Sequence, residues 1–251
     1  MLVMGILNVT PDSFADGGKH NDFEAAIARG LEMIAEGVDI IDIGGESTRP
    51  GADRVSEEEE IARTIPVIAE LAKHGTPISI DTMRATTAEA AIKAGASIIN
   101  DVSGGLADSE MLQTAARLHV PYIAMHWRGQ SKDMNSKAVY EDVVSDVISE
   151  LYERIEAALD AGIQKDKLII DPGLGFAKDA EHNWAIIDSI DQFVALGYPV
   201  LVGGSRKRFL GGDTPDEREE ATIQLTKRLG TTGVWAVRVH SVKPHKEVLS
   251  S

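Results

Sequence analysis

The chain contains no cysteine. That absence removes disulfides, thiolate metal sites and thiol nucleophiles, and it suits a reducing compartment. No apolar stretch approaches the roughly 18 residues of a membrane span, and Met1-Leu2-Val3-Met4-Gly5 lacks the basic segment that opens a secretory signal. A cytoplasmic location and no membrane partner are therefore expected. Basic residues are in deficit: 25 Lys and Arg stand against 40 Asp and Glu, a formal net charge of −15. Such a surface repels nucleic acid and anionic lipid, so no nucleic-acid partner is expected. The chain also has no His-Glu-x-x-His, no Cys/His cluster and no Gly-x-Ser-x-Gly elbow, which argues against a structural zinc and an acyl-transfer triad. With no linker and no second composition block, residues 1–251 read as one domain.

What the chain does contain is eight short apolar runs, each ending in a polar side chain able to do chemistry. Val3–Leu7 leads into Asn8, Ile40–Ile43 into Glu46, Ile78–Ile80 into Asp81, and Ile98–Ile99 into Asn100. Tyr122–Met125 leads into His126, Leu168–Ile170 into Asp171, and Val200–Val202 into Ser205–Lys207. Val234–Val239 carries Arg238 and ends at His240. A strand buried on both faces reads as an unbroken run rich in β-branched residues. Eight of these alternating with helices predict a (β/α)8 TIM barrel, which takes roughly 250 residues and builds its active site from the C-terminal strand ends and the loops after them.

Caps and periodicity place the helices. Phe23, Ile27, Leu31 and Ile34 recur at helical spacing over 23–37, with Gly37 as the stop. Ser56-Glu57-Glu58-Glu59 reads as a capping box opening a helix to about Lys73. The acidic run Glu57–Glu60 suits the positive end of a helix dipole better than a metal. Further helices are predicted over 86–94, 108–118, 143–161, 179–196 and 216–229. The long loops, 9–22, 44–55 and 126–140, all follow strands. The eighth unit is short: after His240 only Ser241–Ser251 remains, with Pro244 inside it. A shortened eighth helix of two turns at most is expected. Either the chain is a truncated product, or its last strand is covered by another element or by a partner subunit.

The residues of the predicted mouth suggest the ligand. Asp12 and Asp16 lie in the loop after the first strand, available to a metal, to a cation carried by an anion, or to a substrate donor, and Gly17-Gly18 would let that loop change conformation. After the second strand, Gly44-Gly45-Glu46-Ser47-Thr48-Arg49-Pro50-Gly51 combines small residues with a planar cation suited to phosphate. Asp81, Asn100 and Asp171 end three different strands. Two carboxylates and an amide converging there suit a flat, amino-bearing heterocycle with several N–H groups on its edge. Asp101 would point away from the mouth, since neighbouring strand residues alternate. In an acidic protein the mouth nevertheless gathers Arg49, Lys207, Arg238 and His240, which points to an anionic group on the substrate. Gly173-Leu174-Gly175-Phe176-Ala177-Lys178 lacks a full phosphate-loop pattern, but Phe176 could wall a pocket for an aromatic co-substrate. His74 and His119 fall at helix ends, His20, His182 and His245 read as exposed, and His126 reads equally as a supporting or a reacting group.

These motifs resemble dihydropteroate synthase. Asn8-Val-Thr-Pro-Asp-Ser-Phe14, Gly45-Glu-Ser-Thr-Arg-Pro-Gly51, Ser79-Ile-Asp-Thr82 and Ile99-Asn-Asp-Val-Ser-Gly104 carry the resemblance, with Asp171-Pro-Gly-Leu-Gly-Phe-Ala-Lys178, Ser205-Arg-Lys207 and Arg238-Val-His240. It runs in order over residues 3–243. It implies a folate-pathway transferase that joins 6-hydroxymethyl-7,8-dihydropterin diphosphate to 4-aminobenzoate, and a target of sulfonamides. On this resemblance Asp81, Asn100, Asp171 and Lys207 would hold the pterin. Asn8, Arg49, Arg238 and His240 would hold the diphosphate, with Asn8 also helping to bind Mg²⁺. Thr48, Pro50, Phe176 and Lys207 would border the aminobenzoate, and Asp16 would close over the site. A homodimer is also implied.

Two departures from the family stand out. Its Arg-x-His is usually followed by Asp, and here Ser241 follows; loss of that carboxylate would leave His240 less firmly oriented. The missing final helix affects a region that contributes to dimer contacts. Two alternatives share the Asp81, Asn100 and Asp171 face: a pterin-dependent methyltransferase, which needs no anion clamp, and a non-catalytic pterin-binding paralogue.

Overall fold

Each apolar run becomes a strand whose odd and even residues face different surroundings. In this computed structural model, which describes residues 1–10, 18–46, 55–129 and 134–250, the strands are β1 Leu2–Asn8, β2 Ile40–Gly44, β3 Ile78–Asp81 and β4 Ile98–Asp101. They continue as β5 Tyr122–Met125, β6 Leu168–Asp171, β7 Leu201–Val202 and β8 Ala236–Val239. All pair in parallel in the order β6-β5-β4-β3-β2-β1-β8-β7. The remaining seam closes where Ile170 bridges to Val200 and its N–H donates to the Pro199 carbonyl at 2.9 Å. The sheet is therefore the expected eight-stranded barrel.

The pleat divides the apolar residues into two cores. Met4, Ile40, Ile98, Ile123, Ile169, Leu201 and Ala236 fill the barrel interior, with Leu2 and Trp235 packed against them. Ile41, Ile43, Ile78, Ile80, Ile99 and Ile170 point outward into the layer between sheet and helices. Two residues beyond Ile40, Ile98, Ile169 and Ala236, on the same inward face, come Asp42, Asn100, Asp171 and Arg238. A polar layer thus rests directly on the apolar one. Asp101 turns outward, as its parity requires, and its carboxylate accepts Ser103 N at 2.8 Å, Ser103 Oγ at 2.6 Å, Gly105 N at 2.7 Å and Tyr122 Oη at 2.7 Å.

The helices are α1 Gly18–Ala35, α2 Glu57–Leu71, α3 Ala85–Ala94, α4 Met111–Leu118 and α5 Val143–Asp160, then α6 Ala180–Asp188, α7 Ile190–Val194, α8 Glu219–Leu229 and α9 Lys243–Leu249. The run predicted over 179–196 divides at Ser189 into α6 and α7. Ser56 caps α2 by accepting Glu59 N–H at 3.2 Å, but Glu59 turns its carboxylate to Arg63 at 2.9 Å. The reciprocal box forms instead at α6, between Asp179 and His182, so His182 is half-buried.

The short C-terminal helix is an integral cover. His245, expected on the surface, is fully buried, with its Nδ1 at 2.8 Å from Thr226 Oγ1 of α8. Lys246 pairs with Asp39 at 2.9 Å, and Val242 and Leu249 join the outer core. Pro244 sits in the first turn of α9, where its missing N–H costs nothing. The eighth strand is thus covered from within the chain.

Candidate active site

The C-terminal rim of the barrel collects side chains from five strands. On β8, Arg238 reaches across the interior: its Nε meets Asp42 Oδ2 of β2 at 2.5 Å and its NH2 meets Asp81 Oδ2 of β3 at 2.7 Å. Asn100 of β4 donates from Nδ2 to the same Asp42 oxygen at 3.1 Å. Asp171 ends β6 and accepts Gly173 N–H at 2.7 Å through Oδ1. Asp42, Asp81, Asn100 and Asp171 are all buried, so each carboxylate must be matched by donors or give up its charge.

Burial dominates the electrostatics. It pushes Asp81 up to about 7, against the pull of Arg238 and with the push of Asp42. Asp171 is also raised by burial, partly offset by the Gly173 N–H and by Lys207. Lys207 is lowered by burial to about 8. The mouth thus holds groups that change charge near neutrality, a common property of reactive sites.

Three consecutive residues after β7 face three ways. Ser205 Oγ is 2.9 Å from His240 Nδ1 and also accepts the His240 N–H at 3.2 Å. The hydroxyl thus touches both the backbone and the ring of His240. Arg206 adopts a left-handed φ of 57° and turns away, binding Glu219 Oε2 at 2.6 Å and Ser241 Oγ at 2.8 Å. Lys207 turns back over the mouth, donating to the Leu174 carbonyl and lying 4.5 Å from the centroid of the Phe176 ring. Ser205 thus holds the His240 ring at Nδ1. The carboxylate near Ser241 comes from Glu219 on α8.

Asn8 ends β1 on the inward face, where its neighbour Val9 donates to the Gly44 carbonyl at 2.8 Å. Among the expected site residues, Asp16, Thr48, Arg49 and Pro50 lie outside the described residues, as does Asp12. Glu46 turns to the side of the barrel and pairs with Arg84 at 2.9 Å, beside buried Glu60. His126 is buried between Glu150 and Lys178, so its part is structural support. Asp42 is the functional-site residue that sequence reading passed over. Its signal was present: a lone carboxylate inside the apolar run Ile40–Ile43 cannot stay buried without a cation.

Comparison with known proteins agrees with this geometry. The family model for pterin binding enzymes matches residues 4–240. Dihydropteroate synthase of Bacillus subtilis is 49% identical over 96% of this chain and 84% of its own length. The structure of dihydropteroate synthase from Xanthomonas albilineans with 4-aminobenzoic acid superposes with a TM-score of 0.93 at 44% identity, covering 99% of this chain and 90% of that one. Dihydropteroate synthase from Yersinia pestis in complex with a sulfonamide drug gives a TM-score of 0.93 at 39% identity, over 99% and 92%.

Proposed function

Since the chain belongs to the dihydropteroate synthases of the pterin binding enzyme family, we propose that its barrel mouth divides the work of that reaction among three groups of side chains. The reaction condenses 6-hydroxymethyl-7,8-dihydropterin diphosphate with 4-aminobenzoate, giving 7,8-dihydropteroate and diphosphate. Asp81, Asn100, Asp171 and Lys207 hold the pterin. Arg49, Arg238, His240 and Asn8 hold the diphosphate, and Thr48, Pro50, Phe176 and Lys207 border the aminobenzoate, with Asp16 closing the site. The observation that carries this reading is the buried layer in which Arg238 joins Asp42 and Asp81 beside Asn100. Carboxylates fixed in that way present acceptors to a ring edge rich in N–H groups.

The chemistry follows from the leaving group. The C–O bond breaks with its electron pair passing to diphosphate, where Arg238 and His240 meet the growing charge. The methylene carbon left behind is conjugated with the electron-rich dihydropterin ring, so no strong base is required. The amine of aminobenzoate adds its lone pair to that carbon and then releases a proton. Phe176, with Lys207 over its ring at 4.5 Å, offers a flat wall and a cation to an aromatic carboxylate. The same wall suits sulfonamides, in keeping with the drug complex of the Yersinia pestis relative.

Mg²⁺ is proposed as the cofactor. Among the described residues no group of three metal-ligating side chains gathers. Asn8, at the inward end of β1, would offer an amide oxygen, the hard donor type that suits this ion. When bound, it would neutralise the leaving diphosphate. A homodimer is proposed as what the resemblance to the family implies. A cytoplasmic location accords with the lack of cysteine, and no helix among the described residues is long and apolar enough to cross a membrane. Diphosphate release from the pterin substrate, measured with and without aminobenzoate, tests the assignment. Dihydropteroate formed in step with diphosphate when both substrates are present supports it, and diphosphate release with no dihydropteroate formed overturns it.

A further inference from the structure

Lys178 is a buried lysine that the reaction as derived does not use. It lies where the loop after β6 enters α6, and its ammonium has three neighbours: His126 Nδ1 at 2.8 Å, the Gly173 carbonyl at 3.1 Å and the Phe176 carbonyl at 3.1 Å. Burial pushes the Lys178 ammonium well below its ordinary range, so the tautomer of His126 is set from its other side. The Glu150 carboxylate can only accept, which places the imidazole proton on Nε2, 2.9 Å from Glu150 Oε2, and leaves Nδ1 to accept from Lys178 as the two carbonyls do. Glu150, on α5, is gripped in turn by Arg128, which caps the Lys137 and Val139 carbonyls. Burial holds His126 down to about 4, in keeping with a neutral ring that relays between a cation and a carboxylate.

The segment this cation holds is 173–177. Its backbone carries little regular hydrogen bonding of its own, and Ala177 sits at a left-handed φ of 49°. Lys178 takes the carbonyls of residues 173 and 176, and Tyr140 Oη takes that of residue 177 at 2.9 Å. Lys207 takes the Leu174 carbonyl, and Asn183 Oδ1 accepts Gly175 N–H at 2.6 Å. The carbonyl of Phe176 is thus pinned from below while its ring faces Lys207 from above.

We propose that Lys178 is a positioning residue for the aminobenzoate site, its ammonium fixing Phe176, and through Phe176 and Leu174 the seat of Lys207, by way of the His126–Glu150–Arg128 chain. This rests on the placement of aminobenzoate against Phe176. Asp171 feels Lys178 only through Gly173 and through charge, and its backbone is held by the pairing of β6 with β5. The two substrates should therefore respond differently.

Steady-state kinetics of Lys178→Met, Glu150→Gln and Phe176→Ala, with each substrate varied in turn, tests this. Lys178→Met should raise KM for aminobenzoate about tenfold, the scale of one charged hydrogen bond, with KM for the pterin diphosphate within about twofold. Glu150→Gln, at a partly exposed position that spares the fold, should shift the same constant in the same direction by less. It decides the matter if Lys178→Met does not fold. If Phe176→Ala raises KM for aminobenzoate while Lys178→Met and Glu150→Gln do not, the proposal is overturned and the placement stands. If Phe176→Ala has no effect either, the placement itself fails and the role of Lys178 falls with it. An equal loss for both substrates also overturns the proposal, leaving Lys178 as general support.

Discussion

Arg238 and Asp42, 196 residues apart in the chain, form a 2.5 Å ion pair on the floor of the barrel mouth. Asp42 is fully buried and the Arg238 side chain is 19% exposed. The guanidinium also reaches Asp81 at 2.7 Å, so it meets an incoming anion already balanced by carboxylates. Arg238 is therefore as much a keystone of the pterin floor as a clamp for diphosphate.

Asp42→Asn should for that reason destabilise the fold as well as the site. Breaking one side of a buried pair typically costs about 3–5 kcal/mol, visible as a fall in Tm. Asp42→Asn combined with Arg238→Met should cost less than the sum of the two single changes, because the double change removes both charges of this pair and leaves only Asp81 without its cation. Strict additivity in thermal unfolding would mean the pair carries no coupling.

Asp171→Asn should weaken pterin binding about tenfold to a hundredfold, the equivalent of roughly 1.5–3 kcal/mol for a charged hydrogen bond. The amide offers one acceptor where the carboxylate offered two, and it sets an N–H against ligand N–H groups. Isothermal titration with a pterin lacking diphosphate measures the change. Wild-type affinity would remove Asp171 from the pterin site.

The pH profile of kcat/KM for the pterin substrate should be a narrow bell. Asp81 loses its proton as pH rises through about 7, gaining its acceptor role, and Lys207 loses its charge as pH rises through about 8. Activity should climb through the first value and decline through the second. Lys207→Arg, always charged, should flatten the alkaline limb. Stability follows a separate sign: Asp81 is raised above its ordinary value of 3.8, so its contribution is present below about 4 and is lost as pH rises toward 7. A flat profile between pH 6 and 9 would contradict both assignments.

His245→Ala should lower Tm clearly. The ring is fully buried between α8 and α9, and removing it leaves a cavity and an unpaired Thr226 hydroxyl, a loss of about 2–4 kcal/mol. Lys246→Ala, whose side chain is 33% exposed, should cost under about 1 kcal/mol. If the two variants melt alike, α9 is not a packed cover.

The fold was legible because barrel strands are buried on both faces. Runs such as Ile40–Ile43 and Ile78–Ile80 carry that signature locally, and Gly and Ser mark helix ends within a turn of where they fall. The outward turn of Asp101 followed from strand parity alone. The positions of Asp81, Asn100, Asp171 and Arg238 at strand ends were likewise local facts.

Partnership was not local. That Asp42 pairs with Arg238, that Ser205 orients His240, that Glu219 supplies the carboxylate near Ser241, and that His245 is buried all depend on contacts between segments far apart in the chain. The sequence by itself determined which residues lie on each strand's inward face, because side-chain alternation has a period of two. Only the tertiary structure decided which charges neutralise one another, because curling the sheet into a barrel brings β8 beside β1 and lets one guanidinium span to β2 and β3.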